Sequence, residues 1–172
     1  MANNVEDAAK YLKAWVVKVG LGQAPAFLER TVNPVVNAGV QILVMRSDMV
    51  FGLDHIRSAL YHAKKAIDER RNSSDSLSME TLLYASGEKQ LSSAIKKMSV
   101  DQMTEEVVVA QLSEGNIEVD GSWRVLNDFP EDPSVERLKR FGITQQELDT
   151  IGKSDPKDLV LERVAAVDII KK

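Results

Sequence analysis

The chain has 172 residues, 44% of them hydrophobic, so it is long enough for one substantial core and near the usual size of a single domain. It contains no cysteine, which excludes disulfides, thiolate nucleophiles and cysteine zinc sites and fits a reducing compartment. Its formal net charge of -4 argues against indiscriminate coating of nucleic acid, so any such contact requires a local basic patch.

The amino terminus is polar and acidic over residues 1–10, where a secretion signal would be basic and then apolar. No apolar run elsewhere is long enough to span a bilayer. We therefore expect one soluble, cytoplasmic domain over residues 1–172, with no internal repeat, no interdomain linker and no membrane contact.

The first predicted elements are a strand, a tight turn and a helix. Residues 14–20 are apolar and β-branched, and Pro25 opens a helical pattern that Pro34 should end or kink. The turn Gly20-Leu21-Gly22 partly matches the glycine fingerprint of dinucleotide-binding folds, but Pro25 stands at the third glycine position. A plain turn is the favoured interpretation, and a nucleotide-binding enzyme built on it is the weakest of our hypotheses.

Three more strands and two amphipathic helices are predicted in the middle of the chain. The continuous apolar run of residues 40–45 predicts a central strand. Asp54 is expected to cap a long helix that runs to Arg71. After a polar loop, residues 81–85 predict a third strand. A helix over residues 91–98 and a fourth strand over residues 105–112 follow.

The last third of the chain is predicted to be turns followed by helices. Residues 113–132 contain turn signals and at most a short hairpin. A helix that starts at Asp132-Pro133 should stop at Gly142, and Thr144 has capping-box spacing to Glu147. Asp155-Pro156 opens the terminal helix. The turn signals are Gly115-Asn116, Asp120-Gly121 and Pro130.

No residue pattern indicates catalysis or metal binding. His55 and His62 lie seven residues apart on one helix, which separates their backbones by about 10 Å, too far for easy chelation of one zinc ion. We interpret them as a polar helix edge or a surface pair. Ser86 and Ser93 have no histidine with an evident carboxylate partner, so a hydrolase triad is unsupported. We expect no catalytic residue, no metal, no cofactor and no small-molecule substrate.

Basic residues on two neighbouring helices form a candidate nucleic-acid surface. Lys89, Ser93 and Lys96 fall on one side of the helix that begins beside Ser86-Gly87. A helix amino terminus flanked by glycine offers free backbone N–H groups to phosphate. The predicted nucleic-acid-binding residues are Ser86, Gly87, Lys89, Ser93, Lys96, Lys97, Arg57 and Lys64.

The apolar residues of the terminal helix are spread around nearly its whole circumference. One interpretation is a helix sunk into the core. The alternative is a helix that packs inward on one side and contacts a protein partner with the other. We expect Val164 in the core and Leu161, Ala165 and Ile169 on the partner side.

Three segments resemble one family. They are Phe51-Gly52-x-x-His55-Ile56-x-x-Ala59, Leu82-Leu83-Tyr84-Ala85-Ser86-Gly87-Glu88-Lys89-Gln90 and Asp158-Leu159-Val160-Leu161-Glu162-Arg163-Val164-Ala165. The chain resembles the archaeal PRPK-binding-protein (TPRKB) family, whose members usually have arginine where this chain has Lys89. That change keeps the charge but loses the planar guanidinium fork.

The resemblance implies a cytoplasmic, non-catalytic subunit of the KEOPS complex, which makes threonylcarbamoyl-adenosine in tRNA. Such a subunit binds the small atypical kinase of the complex, through the terminal helix here, and helps recruit tRNA by its acceptor end. The second hypothesis is a kinase-regulating protein without RNA contact. The implied fold is α/β, a small mixed, largely antiparallel four-stranded sheet packed with helices, although alternating strands and helices alone would suggest parallel pairing.

Overall fold

The computed structural model describes residues 4–119, 121, 123–126, 129 and 133–171. Within these residues the strands form a four-stranded antiparallel sheet in the order β2-β3-β1-β4, and the predicted α/β class is confirmed. The strands are β1 Lys13–Lys18, β2 Ile42–Arg46, β3 Glu106–Gln111 and β4 Val125–Leu126.

Both faces of the sheet are buried, because successive strand residues point to opposite sides. In β1, Val16 faces one apolar cluster, called the main core here, while Val17 faces a second cluster. Their antiparallel partners in β3, Val108 and Val107, divide in the same way. Burial on both faces explains why the middle of β1 and the middle of β3 are continuously apolar.

The prediction that residues 40–45 form a central strand is wrong. Among the described strands, β2 pairs only with β3 and lies at the edge of the sheet. Its apolar run has another cause, since Leu43 and Met45 pack into the main core and Ile42 packs into the second cluster. An edge strand that is covered by helices on both faces therefore has the same apolar composition as a central strand.

The main core is built by helices packed on one face of the sheet. The prediction of a strand over residues 81–85 is wrong, because these residues form the middle of a helix. Every residue from Glu80 to Ser86 is buried, so this helix has no polar face to give a helical period. The helices of this layer are α4 Leu53–Asp68, α5 Leu77–Ser86, α6 Leu91–Met98 and α9 Lys157–Ile170.

The long helix α4 begins and ends differently from the prediction. Its N-cap residue is Gly52, whose φ of 94° is a conformation that favours glycine. Asp54 makes no capping hydrogen bond and instead pairs with Arg57. The helix stops at Asp68, before the predicted end at Arg71, and the backbone of Arg70 has a positive φ of 55°.

Shorter helices complete the fold. Those between β1 and β2 cover the second face of the sheet, and the amino-terminal helix packs against α4. Pro34 does not end the helix that Pro25 opens, because a π-helical turn lies directly before it and the helix continues beyond it. A proline lacks the amide that an α-helix needs, and a π turn is one way to accommodate this local change. These elements are α1 Val5–Ala8, α2 Ala24–Phe27, the π-helix Leu28–Val32 and α3 Asn33–Asn37.

The carboxyl part is helical, as predicted. Helix α7 covers Val135–Phe141 and stops at Gly142, and α8 covers Gln145–Thr150 behind the predicted capping box. None of the described helices combines the length and apolar character of a membrane span. The predicted turns at Asp120-Gly121 and Pro130 and the helix start at Asp132 involve residues 120, 130 and 132, which lie outside the described residues.

Candidate interaction surfaces

The turn between α5 and α6 is held by its own backbone and by a buried serine. Gly87 has a left-handed φ of 67° and ends α5. The Ser86 hydroxyl donates to the Leu83 carbonyl at 2.7 Å and accepts from the Glu88 amide at 3.1 Å. Ser86 is fully buried. It therefore shapes the turn, and the glycine predicted to flank the start of α6 instead terminates α5.

A buried histidine fixes the end of α5 from the other side. His55 Nε2 donates to the Ala85 carbonyl at 2.7 Å, and His55 Nδ1 accepts from the Phe51 amide at 3.1 Å. Burial lowers the pKa of His55 to about 4, so the imidazole is neutral at pH 7. The interpretation of His55 as a polar helix edge or surface residue is wrong, since its ring is part of the main core.

Lys97 is engaged in the turn and is largely covered. Its Nζ donates to the Ser86 carbonyl at 2.6 Å and to Glu88 Oε1 at 3.2 Å. The ammonium also lies 3.9 Å from the ring centroid of Phe141, a cation–π contact. Burial lowers the pKa of Lys97. The Lys97 ammonium thus satisfies a backbone carbonyl at the carboxyl end of α5, and its hydrogen-bond partners lie within the protein.

Lys89, Ser93 and Lys96 are exposed around α6, on the side that faces away from the main core. The inward side of α6 is made by Ala94 and Met98, which are completely buried. The structure therefore keeps three of the predicted nucleic-acid-binding residues on one accessible surface. We call Lys89, Ser93 and Lys96 the α6 surface.

The two predicted basic residues of α4 have local roles. Arg57 forms an ion pair with Asp54, three residues earlier on the same helix. The Lys64 ammonium donates to the Ala8 carbonyl at 2.5 Å and so ties α4 to α1. Burial lowers the pKa of Lys64. Lys64 is thus occupied by contacts that hold the amino-terminal segment.

Helix α9 has a buried side and an exposed apolar side. Leu159, Val160, Val164 and Val167 are buried and pack against α4 and α5. The placement of Val164 in the core is confirmed. On the opposite side Leu161 is half-buried, Ala165 is exposed and Ile169 is 72% exposed. These last three residues are four positions apart and form one stripe, called the α9 stripe here.

Asp168 anchors the end of α9 to α4 and α5, a role that the sequence analysis missed. Its carboxylate accepts from Tyr84 Oη at 2.5 Å, His62 Nδ1 at 2.8 Å and Arg71 Nη1 at 3.2 Å. Burial raises the pKa of Asp168, but these hydrogen bonds outweigh it and leave the pKa below its usual value. The available sequence signal was a single carboxylate within the apolar run from Val164 to Ile170.

A second buried carboxylate fixes the chain just beyond α9. Glu80 is fully buried, and Lys171 Nζ donates to it at 2.5 Å. The amides of Ser73 and Ser74 also donate to Glu80, both at 2.9 Å. These bonds join the loop before α5 to the end of α9. The rotation of α9 is therefore set by polar contacts at one end as well as by its apolar side.

The α9 helix also contacts the α5–α6 turn. A Cβ atom placed on Gly87 would lie 3.1 Å from Cβ of Arg163, so the glycine allows a close approach to α9. Arg163 continues to the carboxyl segment, where its Nη2 donates to Glu147 at 2.8 Å and to the Gly142 carbonyl at 3.1 Å. The α6 surface and the α9 helix are thus held by one connected set of contacts.

The glycine turn after β1 does not offer its amides to a phosphate. The Gly22 amide donates to the Gln102 carbonyl at 2.9 Å, and the Gly20 amide donates to the Glu105 carbonyl at 3.2 Å. The helix that follows has only four residues before it becomes π-helical. Within the described part of the chain, no group of three or more histidine or acidic residues is placed to hold a metal ion.

Comparison with known families identifies one match over nearly the whole chain. The family model described as kinase binding protein CGI-121 matches residues 3–167. The chain therefore belongs to this family, and the resemblance to the TPRKB family is confirmed. A comparison with curated proteins finds no match.

Proposed function

We propose that this CGI-121 family member is a non-catalytic, cytoplasmic subunit of the KEOPS complex, which binds the small atypical kinase of that complex and recruits tRNA for threonylcarbamoylation. Kinase binding follows from the family to which the chain belongs. A non-catalytic role is consistent with the occupied state of both histidines. His55 is neutral and buried between two backbone groups, and His62 is bonded to Asp168.

The α9 stripe is the surface we assign to the kinase, and the exposure of Ile169 is the observation that carries this assignment. A 72% exposed isoleucine in line with Ala165 and Leu161 has no packing role within the described part of the chain. Contiguous apolar surface of this kind marks protein contacts. The buried side of the helix and the anchored Asp168 hold the stripe outward.

Charged residues beside the stripe indicate the character of the kinase surface. Asp158 and Glu162 are exposed and lie on the same side of α9 as Ala165 and Ile169. An apolar centre with an acidic rim is complemented by an apolar pocket with lysine or arginine around it. Such a rim favours encounter and orientation, while Ile169, which becomes buried when the kinase binds, contributes most of the affinity.

The α6 surface is the part we assign to tRNA. Lys89 and Lys96 offer two exposed ammonium groups, and the hydroxyl of Ser93 lies between them in sequence. Lysine and serine side chains are common phosphate ligands. Because the acceptor end of tRNA is single-stranded, its backbone can follow a small, local surface of this kind. Lys89 supplies charge but cannot make the bidentate contacts of an arginine.

Two titrations test this function directly. Binding of the purified KEOPS kinase is measured by calorimetry, and binding of labelled tRNA is measured with intact tRNA and with tRNA whose acceptor end has been trimmed. We expect kinase binding, together with tRNA binding that trimming weakens. Kinase binding without any tRNA binding would support the alternative, a kinase-regulating protein with no RNA contact. Absence of kinase binding would contradict both.

A further inference from the structure

A basic cleft lies on the face of the sheet opposite to α4, α5, α6 and α9. Its volume is about 720 Å³. Its walls include Val17, which packs into the second cluster and not into the main core. The cleft is therefore separated by the sheet from the α6 surface, whose helix packs on the main core. Its size falls within the range of roughly 300–1,000 Å³ that is usual for ligand sites.

The charge of this cleft differs from that of the chain. Lys18, Arg30 and Arg124 line it, against one carboxylate, Glu118. The whole chain has a formal net charge of -4, so three cations around one opening are a local concentration of positive charge. Within the described residues, neither Lys18 nor Arg30 forms an ion pair. The cleft thus has the electrostatic character of an anion site.

A π-helical turn supplies part of this lining. Arg30 and Thr31 belong to the π-helix Leu28–Val32 and both line the cleft. A π turn inserts extra backbone into a helix and is frequently found at functional sites. Thr31 adds a hydroxyl, and Gln23 at the start of α2 adds an amide to the same walls. The cations are therefore accompanied by neutral groups that can bind phosphate oxygens.

An aromatic ring completes the cleft. Phe27 lines it and is only half-buried. The Phe27 ring is supported edge-to-face by Trp123, with 5.3 Å between centroids, and Trp123 is supported in turn by Trp15 at 6.0 Å. A fixed ring beside cationic groups is the combination with which proteins bind single-stranded nucleic acid, since bases stack on the ring while phosphates meet the cations.

We infer that this cleft is a second RNA-binding site, which takes a single-stranded segment through its phosphates and one stacked base. The inference rests on the proposed function, because tRNA is the RNA that the chain is proposed to bind. The sheet separates the cleft from the α6 surface, so a long RNA would contact both faces of the protein. A short single-stranded RNA would need only the cleft.

The two tryptophans of the chain provide a reporter for this site. The sequence contains only Trp15 and Trp123, and both belong to the aromatic cluster behind Phe27. Intrinsic fluorescence therefore senses ligands in the cleft and not ligands on the α6 surface. The experiment titrates the full chain with a ten-nucleotide oligouridylate, with intact tRNA and with ATP, at about 0.1 M salt.

An RNA site in the cleft should give a fluorescence change with oligouridylate, and together with the proposed function it should also give one with intact tRNA. Arg30→Glu and Lys18→Glu should each weaken oligouridylate binding roughly fivefold or more, the loss expected for one phosphate contact of a single strand at this salt concentration. Arg30→Gln should give a smaller loss than Arg30→Glu. Lys10→Glu is the matched control, because it changes an exposed lysine away from the cleft and should bind like the parent. Circular dichroism and melting temperature establish that each variant is folded.

The outcomes separate this inference from the proposed function. If tRNA binds but neither Arg30→Glu nor Lys18→Glu weakens any RNA binding, the cleft is not an RNA site and the proposed function stands. If oligouridylate changes the fluorescence but intact tRNA does not bind, the cleft stands and the proposed tRNA function fails. If no RNA changes the fluorescence, or ATP binds as tightly as oligouridylate, the inference of an RNA site is overturned.

Discussion

His55 Nε2 donates a 2.7 Å hydrogen bond to the carbonyl of Ala85, thirty positions later in the chain. The same ring accepts from the Phe51 amide, so a single side chain joins the start of α4 to the end of α5. The carbonyl that it satisfies lies immediately before Ser86 and Gly87, which shape the turn into α6. The position of the α6 surface therefore depends on this buried imidazole.

Because the His55 imidazole is buried in its neutral form, we expect the free energy of unfolding to fall in acid. The unfolded chain protonates His55 near pH 6.5, whereas burial lowers the pKa of the folded form to about 4. Between these values the unfolded state binds more protons, so the free energy of unfolding falls as the pH decreases. The shift corresponds to a loss of about 3 kcal/mol. Urea unfolding at pH 7.5, 6.0 and 4.5 should show it.

The control for that measurement is His55→Gln, which keeps a polar side chain but removes this titration. The variant should already be less stable than the parent at pH 7.5, by about 2 kcal/mol, because two buried backbone groups lose their partner. Its stability should then change less than that of the parent between pH 7.5 and pH 4.5. Equal pH dependence in parent and variant would show that His55 is not the titrating group.

The buried pair of Glu80 and Lys171 predicts strong coupling between the loop before α5 and the end of α9. The side chains of these residues are 0% and 4% exposed. Lys171→Met leaves Glu80 buried without its counter-charge and should reduce the free energy of unfolding by about 3–5 kcal/mol. The double variant Glu80→Gln/Lys171→Met should recover part of this loss. If the effects of the single variants Glu80→Gln and Lys171→Met simply add in this double-mutant cycle, the two groups do not interact.

Gly87→Ala should destabilise the chain through both its backbone and its neighbour. Alanine disfavours the φ of 67°, and its Cβ would lie 3.1 Å from Arg163 Cβ. We expect a loss of about 1–2 kcal/mol in thermal unfolding. Gly152→Ala is the matched control, because Gly152 has a φ of 60° and open space around it. The difference between the two variants measures the contact with α9, and no difference would argue against close packing there.

The proposed tRNA surface predicts a charge-dependent loss of binding. Lys89→Glu/Lys96→Glu should weaken tRNA binding by about 2 kcal/mol at low salt, since each phosphate contact that is lost also loses its counterion release. Lys10→Glu/Lys13→Glu makes the same change in net charge at exposed positions and serves as the control. Filter binding at several salt concentrations provides the measurement. Equal weakening by both pairs would indicate a general charge effect and not a local site.

The terminal helix shows how far the sequence could predict a surface. Hydrophobic spacing indicated that α9 has more apolar residues than one face can bury, and Val164 was correctly placed in the core. The rotation of the helix depends on Asp168 and Lys171, whose partners lie 84 to 106 positions earlier. Sequence spacing contains no information about such distant pairs, so the anchor itself was missed.

Helix α5 shows the opposite limit. Residues 81–85 were predicted as a strand because a short apolar run has no polar face from which a period can be measured. The segment is a helix because its neighbours α4, α6 and α9 surround it, and Ser76 caps its start. The same burial explains Lys97, whose spacing suggested an RNA ligand although its ammonium is needed at the end of α5.

Kinase binding through the α9 stripe is the central claim, and three arginine substitutions distinguish its possible outcomes. Ile169→Arg places a charge at the exposed end of the stripe, and Val164→Arg places one in the core. Val36→Arg is the control for Ile169→Arg, since Val36 is also a partly exposed apolar residue but lies on α3. An unpaired buried charge costs several kcal/mol, so Val164→Arg should lower the melting temperature sharply.

The decisive measurement is the affinity of Ile169→Arg for the KEOPS kinase by calorimetry, with the melting temperature of the same sample. The variant should keep the melting temperature of the parent and lose at least about 2 kcal/mol in binding, as expected when a charge enters a desolvated interface. Val36→Arg should bind like the parent. A folded Ile169→Arg variant that binds the kinase with the affinity of the parent would contradict the assignment of the α9 stripe.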